Sequence, residues 1–160
     1  MMETDAAIGS ALGRLPSGIF ILTAGWDGQT TGMLASWVQQ AGFEPPMVTV
    51  AVRKDRYVTQ WIEKSGRFTL NQIAAGPKPL LKHFGRGFEP GEAAFEGIAL
   101  RDPRPDGPVL ADAMSYLVAE VSGSIDGGDH RILLGRVVEG DRFDAESEPM
   151  IHLRKSGFHY

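Results

Sequence analysis

The sequence contains no cysteine. Disulfides, thiolate nucleophiles, iron–sulfur clusters and cysteine-ligated zinc are therefore excluded. Positive charge is not in excess either. Sixteen Lys and Arg against 20 Asp and Glu leave a net charge of −4, so the basic footprint of a nucleic-acid-binding chain is missing. The longest apolar run, Ile19-Phe20-Ile21-Leu22, falls far short of the roughly 20 residues that span a bilayer. The opening Met1-Met2-Glu3-Thr4-Asp5 is acidic where a secretory signal is basic. Together these absences predict a soluble, cytoplasmic protein with neither a membrane nor a nucleic acid as partner. Common catalytic signatures are also lacking. There is no Gly-x-x-x-x-Gly-Lys phosphate loop, no Gly-x-Ser-x-Gly elbow and no Ser-x-x-Lys. Gly85-Arg86-Gly87 has Pro90 where a dinucleotide fingerprint needs glycine. His83, His130, His152 and His159 show no paired ligand spacing, so no metal site is expected.

What is present is 160 residues, 42% of them hydrophobic and 22% charged. That suits one globular domain over residues 1–160, burying roughly 70% of its unfolded surface. Glycine takes 20 of the 160 positions, well above an average of about 7%. Because glycine disfavours helix interiors, the excess predicts many tight turns and a strand-rich fold.

Residues 6–15 have helical spacing and stop at Pro16. Residues 19–24 and 31–38 read as strands around the turn signal Asp27-Gly28. Residues 39–46 read as a loop closed by Pro45-Pro46, and valine-rich 47–52 as a buried strand. Asp55 suits an N-cap for a helix with Tyr57, Val58, Trp61 and Ile62 on one face and Gly66 at its end. Residues 68–73 form a fourth strand, 79–84 a short helix and 85–97 a long loop. Pro103, Pro105 and Pro108 bar a central strand over 101–108. Strands over 116–125 and 131–139, joined by Asp126-Gly127-Gly128-Asp129, come next, and 150–153 can add another. With no alternating βαβ rhythm, this mainly β pattern predicts an antiparallel barrel with peripheral helices.

Two constellations invite a chemical reading. Gly32-Met33-Leu34-Ala35-Ser36-Trp37-Val38 mixes small, polar and aromatic residues on one strand. That mixture lets a flat ligand approach the backbone, take one hydrogen bond and stack. Arg53, Lys54 and Arg56 sit at a helix start, a natural seat for a phosphate dianion. Ser36 as strand filler and the cations as a solvated patch explain the same residues equally simply. His130 after Gly128-Asp129 either caps a hairpin turn or serves a nucleotide or a proton.

Taken in order, Leu15 to Ala24, Gly32 to Val38, Pro45-Pro46 and Gly128 to Val137 resemble the flavin reductase-like, FMN-binding split-barrel family. Ser36-Trp37-Val38-Gln39-Gln40-Ala41-x-Phe43 and Arg154-Lys155-Ser156-Gly157-x-x-Tyr160 resemble most the reductase module at the C-terminal end of cyanobacterial diflavin flavodiiron proteins. The resemblance implies a homodimeric split barrel holding FMN rather than FAD. The implied activity is hydride transfer from NAD(P)H to the flavin, with electrons passed to an acceptor that includes, among others, a protein partner. An FMN-binding electron-transfer module without its own reductase activity is the alternative. By resemblance, Met33, Leu34, Ala35, Ser36 and Trp37 line the isoalloxazine, with Ser36 as its polar contact. Ala51, Val52, Arg53, Lys54 and Arg56 hold the ribityl phosphate. Phe68 and Asn71 back the flavin, Phe84 lies near it, and His130 contacts the nicotinamide nucleotide. No side-chain acid or base is implied. Trp37 departs from the smaller or hydroxylated residue common in the wider family.

Overall fold

In the computed structural model, which describes residues 3–77 and 79–160, a first hairpin forms where Asp27-Gly28 allows it. It joins β2 (Phe20–Trp26) to β3 (Gln29–Ala35). Asp27 has φ 52° and Gly28 φ 76°, the two positive values that a type I′ turn demands. From β2 an antiparallel sheet continues through β6 (Arg67–Gln72), β9 (Ser115–Gly127), β10 (His130–Arg142) and β5 (Met47–Arg53) to β4 (Val38–Gly42). The strand order is β3-β2-β6-β9-β10-β5-β4. No ladder among the described residues closes β3 on β4, so the expected antiparallel barrel is a mainly β, seven-stranded sheet with open ends.

Two small sheets flank it, β1 (Ser17–Gly18) with β11 (Ile151–His152) and β7 (Leu100–Asp102) with β8 (Val109–Leu110). Among the described residues there are three helices: α1 (Glu3–Gly13), α2 (Tyr57–Ser65) and α3 (Pro79–Gly85). No helix among the described residues is long and apolar enough to cross a membrane.

Strand alternation divides the core. On β2, Leu22 enters a cluster with Val50, Ile62, Phe68, Leu70 and Leu133, beneath α2. Its neighbour Ile21 points to the other face, into a cluster with Ile73, Phe84, Leu110 and Met150. Each fully buried side chain of this size contributes about 1.5–3 kcal/mol.

Two local expectations are corrected. Residues 39–42 are strand rather than loop, because β5 supplies a ladder that the exposed Gln39-Gln40 does not advertise. The cap of α2 is Arg56, with extended backbone and no side-chain cap bond; Asp55 is instead paired with Arg53.

Asn71 is a buried polar cross-link. Fully shielded from solvent, its amide donates to the carbonyls of Ile21 (3.2 Å) and Pro108 (3.3 Å), and its Oδ1 accepts from Leu110 N (2.9 Å). Thr23 and Thr69 hydroxyls donate to Pro108 O and Gly107 O, fastening the proline-rich loop to the sheet. Removing one partner strands buried carbonyls, which is costly. Asn71→Ala is therefore expected to lower stability by about 2–3 kcal/mol, read as a lower denaturant midpoint at unchanged m-value. A loss below about 0.5 kcal/mol would mean that water replaces the amide.

Candidate functional site

Between β3 and β4 the chain crosses from one end of the sheet order to the other through Ser36 and Trp37. Trp37 O accepts from Ala51 N (3.0 Å), which ties the crossing to β5. The crossing, the end of β5 and the start of α2 together enclose a cavity of about 310 Å³. Its walls include Met33, Leu34, Ala35, Ser36, Trp37, Ala51, Val52, Arg53 and Arg56. These nine of the proposed cofactor residues, far apart in sequence, meet around one space.

Three others lie elsewhere. The Lys54 ammonium pairs with Asp126 on the β9–β10 hairpin. Asn71 is occupied by the network just described. Phe84 is buried behind β3, where a Cβ on Gly32 would lie 2.7 Å from its ring. Gly32 is thus required by the close approach of α3, an origin the sequence pattern did not distinguish from room for a ligand. Phe68, expected behind the ligand, is wholly inside the main core.

The cavity also has walls that the sequence reading did not assign: Ile19, Leu81, Gly85, His152 and Tyr160. Tyr160 ends the pattern Arg154-Lys155-Ser156-Gly157-x-x-Tyr160, so a signal for it existed; His152 lies just before that pattern, on β11.

Charge concentrates at one end. Arg56 caps α2, and no acidic residue occupies the helix's first turn, so the positive end of the helix dipole is not offset from within. Arg53 reaches Asp55 at 3.0 Å, both side chains being largely exposed, a pairing weak enough to yield to a better anion. Two guanidinium groups and a helix start make an anion seat.

A second cavity of about 380 Å³ shares Trp37, Arg53 and Tyr160 with the first and adds Asp129, His130 and Arg154. His130 is 6% exposed and held from both sides. Nδ1 lies 2.6 Å from Asp129 Oδ1 and Nε2 lies 2.6 Å from Tyr160 Oη. The carboxylate can only accept, so Nδ1 carries the proton; in the neutral imidazole Nε2 accepts from the phenol. That bond holds the Asp129 carboxyl below its ordinary range, while burial raises the Tyr160 phenol. The Trp37 ring stands 4.6 Å from His130 and 5.4 Å from Tyr160, with the Arg154 guanidinium 5.2 Å away.

A sequence-family model described as flavin reductase like domain matches residues 12–159. The chain belongs to the flavin reductase-like family. Diflavin flavoprotein A 1 of Synechocystis sp. is 38% identical over 162 residues, which take in all of this chain but 28% of that protein. Among solved structures, the NADH:FAD oxidoreductase SgcE6 of Streptomyces globisporus superposes with a TM-score of 0.81 at 26% identity, covering 94% of this chain and 87% of the other. A complex of the flavin reductase HpaC with NADP+ superposes at 0.78 and 24% identity, covering 91% of each, and shares the fold.

The flavin reductase-like chain has walls that fit a flavin. Met33, Leu34 and Val52 offer apolar contact, Ala35 and Ala51 leave room for a flat ring, and Ser36 brings a hydroxyl. Arg53 and Arg56 suit a phosphate. Replacing both by Ala is expected to weaken FMN binding about 10–100-fold, while riboflavin, which lacks the phosphate, changes less than about two-fold. Equal losses for the two flavins in an equilibrium titration would remove the anion seat from the account.

Proposed function

We propose that this chain is an FMN-dependent NAD(P)H:flavin oxidoreductase, seating FMN in the cavity bounded by Ser36 and Arg53 and admitting the nicotinamide nucleotide from the side of His130. The observation that carries this reading is the shared wall. Trp37, Arg53 and Tyr160 border both cavities, so the two spaces adjoin across one set of side chains and their ligands would be neighbours. Positioning two reactants in contact is the main contribution such a protein can make. A bound flavin supplies the redox chemistry by accepting hydride.

The protein's residues bind and orient. Ser36 offers the ring edge a hydrogen bond, the apolar walls exclude water, and the anion seat favours a terminal phosphate, hence FMN over FAD. The half-buried apolar residues Phe20, Val38, Leu117, Val121 and Val137, packed on the main core, support a homodimer formed through that sheet face. Onward transfer of electrons, to oxygen, free flavin, a metal complex or a protein, belongs to the same reading.

One observation favours the alternative of an FMN-binding electron-transfer module without a nucleotide site: neither ring nitrogen of His130 is free. Anaerobic mixing separates the two. The reductase is expected to lose its oxidised flavin band on adding NADH or NADPH, and His130→Ala to weaken the nucleotide while FMN stays bound. Flavin that stays oxidised with both nucleotides, yet bleaches with dithionite, would establish the module instead.

A further inference from the structure

We propose that Tyr160 is a positioning residue for the nucleotide end of the site, acting through His130; the proposal rests on the reading of His130 given above. Without Tyr160, the imidazole would be oriented by Asp129 alone. That carboxylate is 83% exposed on its side chain and belongs to the adjacent residue, so water competes for its bond. The Tyr160 hydroxyl, 2.6 Å from Nε2, supplies the second point that fixes the ring against Trp37.

Segment 153–160 is built to deliver that hydroxyl. Arg154 N donates to Gly13 O (3.0 Å) and Gly157 N to Gly9 O (2.6 Å), so two successive turns of α1 hold it. The surfaces interlock with no room for side chains. A Cβ on Gly13 would lie 2.6 Å from Arg154 O, one on Gly9 would lie 3.0 Å from the Phe158 ring, and one on Gly157 would overlap Leu12. Yet the segment adds little to the core, since Leu153, Phe158 and Tyr160 are each at least 45% exposed. Ordering it costs conformational entropy, and the contacts at its end go to His130 and Trp37 rather than to a buried cluster. Its order therefore serves the site. The arrangement also revises how His130 meets a ligand. With both nitrogens held, it offers its ring, and the phenol oxygen beside it can still accept a hydrogen bond.

Tyr160→Phe keeps the ring and deletes the hydroxyl. Gly157→Ala keeps the hydroxyl and forces the segment off Leu12. The first readout is the ¹H–¹⁵N correlation spectrum of the His130 ring in the flavin-loaded, oxidised protein, with no nucleotide added. Wild type should show one proton at Nδ1 and a hydrogen-bonded Nε2; both variants should move the Nε2 signal toward that of a solvent-exposed imidazole. The second readout is the nucleotide KM of Tyr160→Phe, expected to rise about five-fold, as for one lost neutral hydrogen bond. Unmoved His130 nitrogen signals would overturn the proposal, as would an unchanged nucleotide KM in Tyr160→Phe. If neither nucleotide reduces wild type, the reductase reading fails, while the ring spectrum still decides whether Tyr160 positions His130.

Discussion

Strand β10 is hydrogen-bonded along both edges, to β9 on one side and β5 on the other, and its register with β5 sets His130 directly opposite Arg53. Everything at the site depends on that pairing. On β5 the side chains alternate, with Val48, Val50 and Val52 buried between more open neighbours. A slip of one residue would turn all three valines out of the core, at about 1.5–3 kcal/mol each. Hydrophobic burial thus enforces a polar geometry. The residues with the best anion-binding chemistry and the histidine of the second cavity are neighbours in a register that the three valines protect against one-residue slips.

Around that pairing, the rest of the fold presents the site rather than forming it. Gly32 lets Phe84 press against β3, which brings Leu81 and Gly85 of α3 into the cavity wall. The Asn71 network holds the proline-rich loop to the sheet from behind. Helix α1 carries segment 153–160 to the rim. Each of these uses a tight approach or a buried hydrogen bond, where small changes in volume or polarity are felt most.

Much of this was legible in the sequence where the signal is local. Asp27-Gly28 announced its hairpin, the valine alternation of β5 its burial, and Gly66 the end of α2, with φ 76°. Resemblance then gathered Met33 to Trp37 with Ala51 to Arg56, and the structure brings nine of those residues around one cavity. Signals that depend on distant partners were not legible. Gln39-Gln40 is strand only because β5 lies beside it, and Asn71 reads the same whether it faces a ligand or three backbone groups. Asp55 suited a cap until Arg53 took its carboxylate. Tyr160 lies 30 positions from His130, and no local pattern reveals that contact.

The proposed function requires the space between the Ser36–Trp37 crossing and the Arg53–Arg56 turn to be a flavin site. Equilibrium titration of the flavin-stripped protein with FMN at micromolar concentrations, followed by flavin absorbance and tryptophan fluorescence, tests it most directly. Saturable binding of one FMN per chain is expected, with a perturbed flavin band and quenching of Trp37, the last lost in a Trp37→Phe variant that still binds. Protein that remains colourless, with no spectral change on adding FMN, would contradict it and leave a domain of this fold with another ligand.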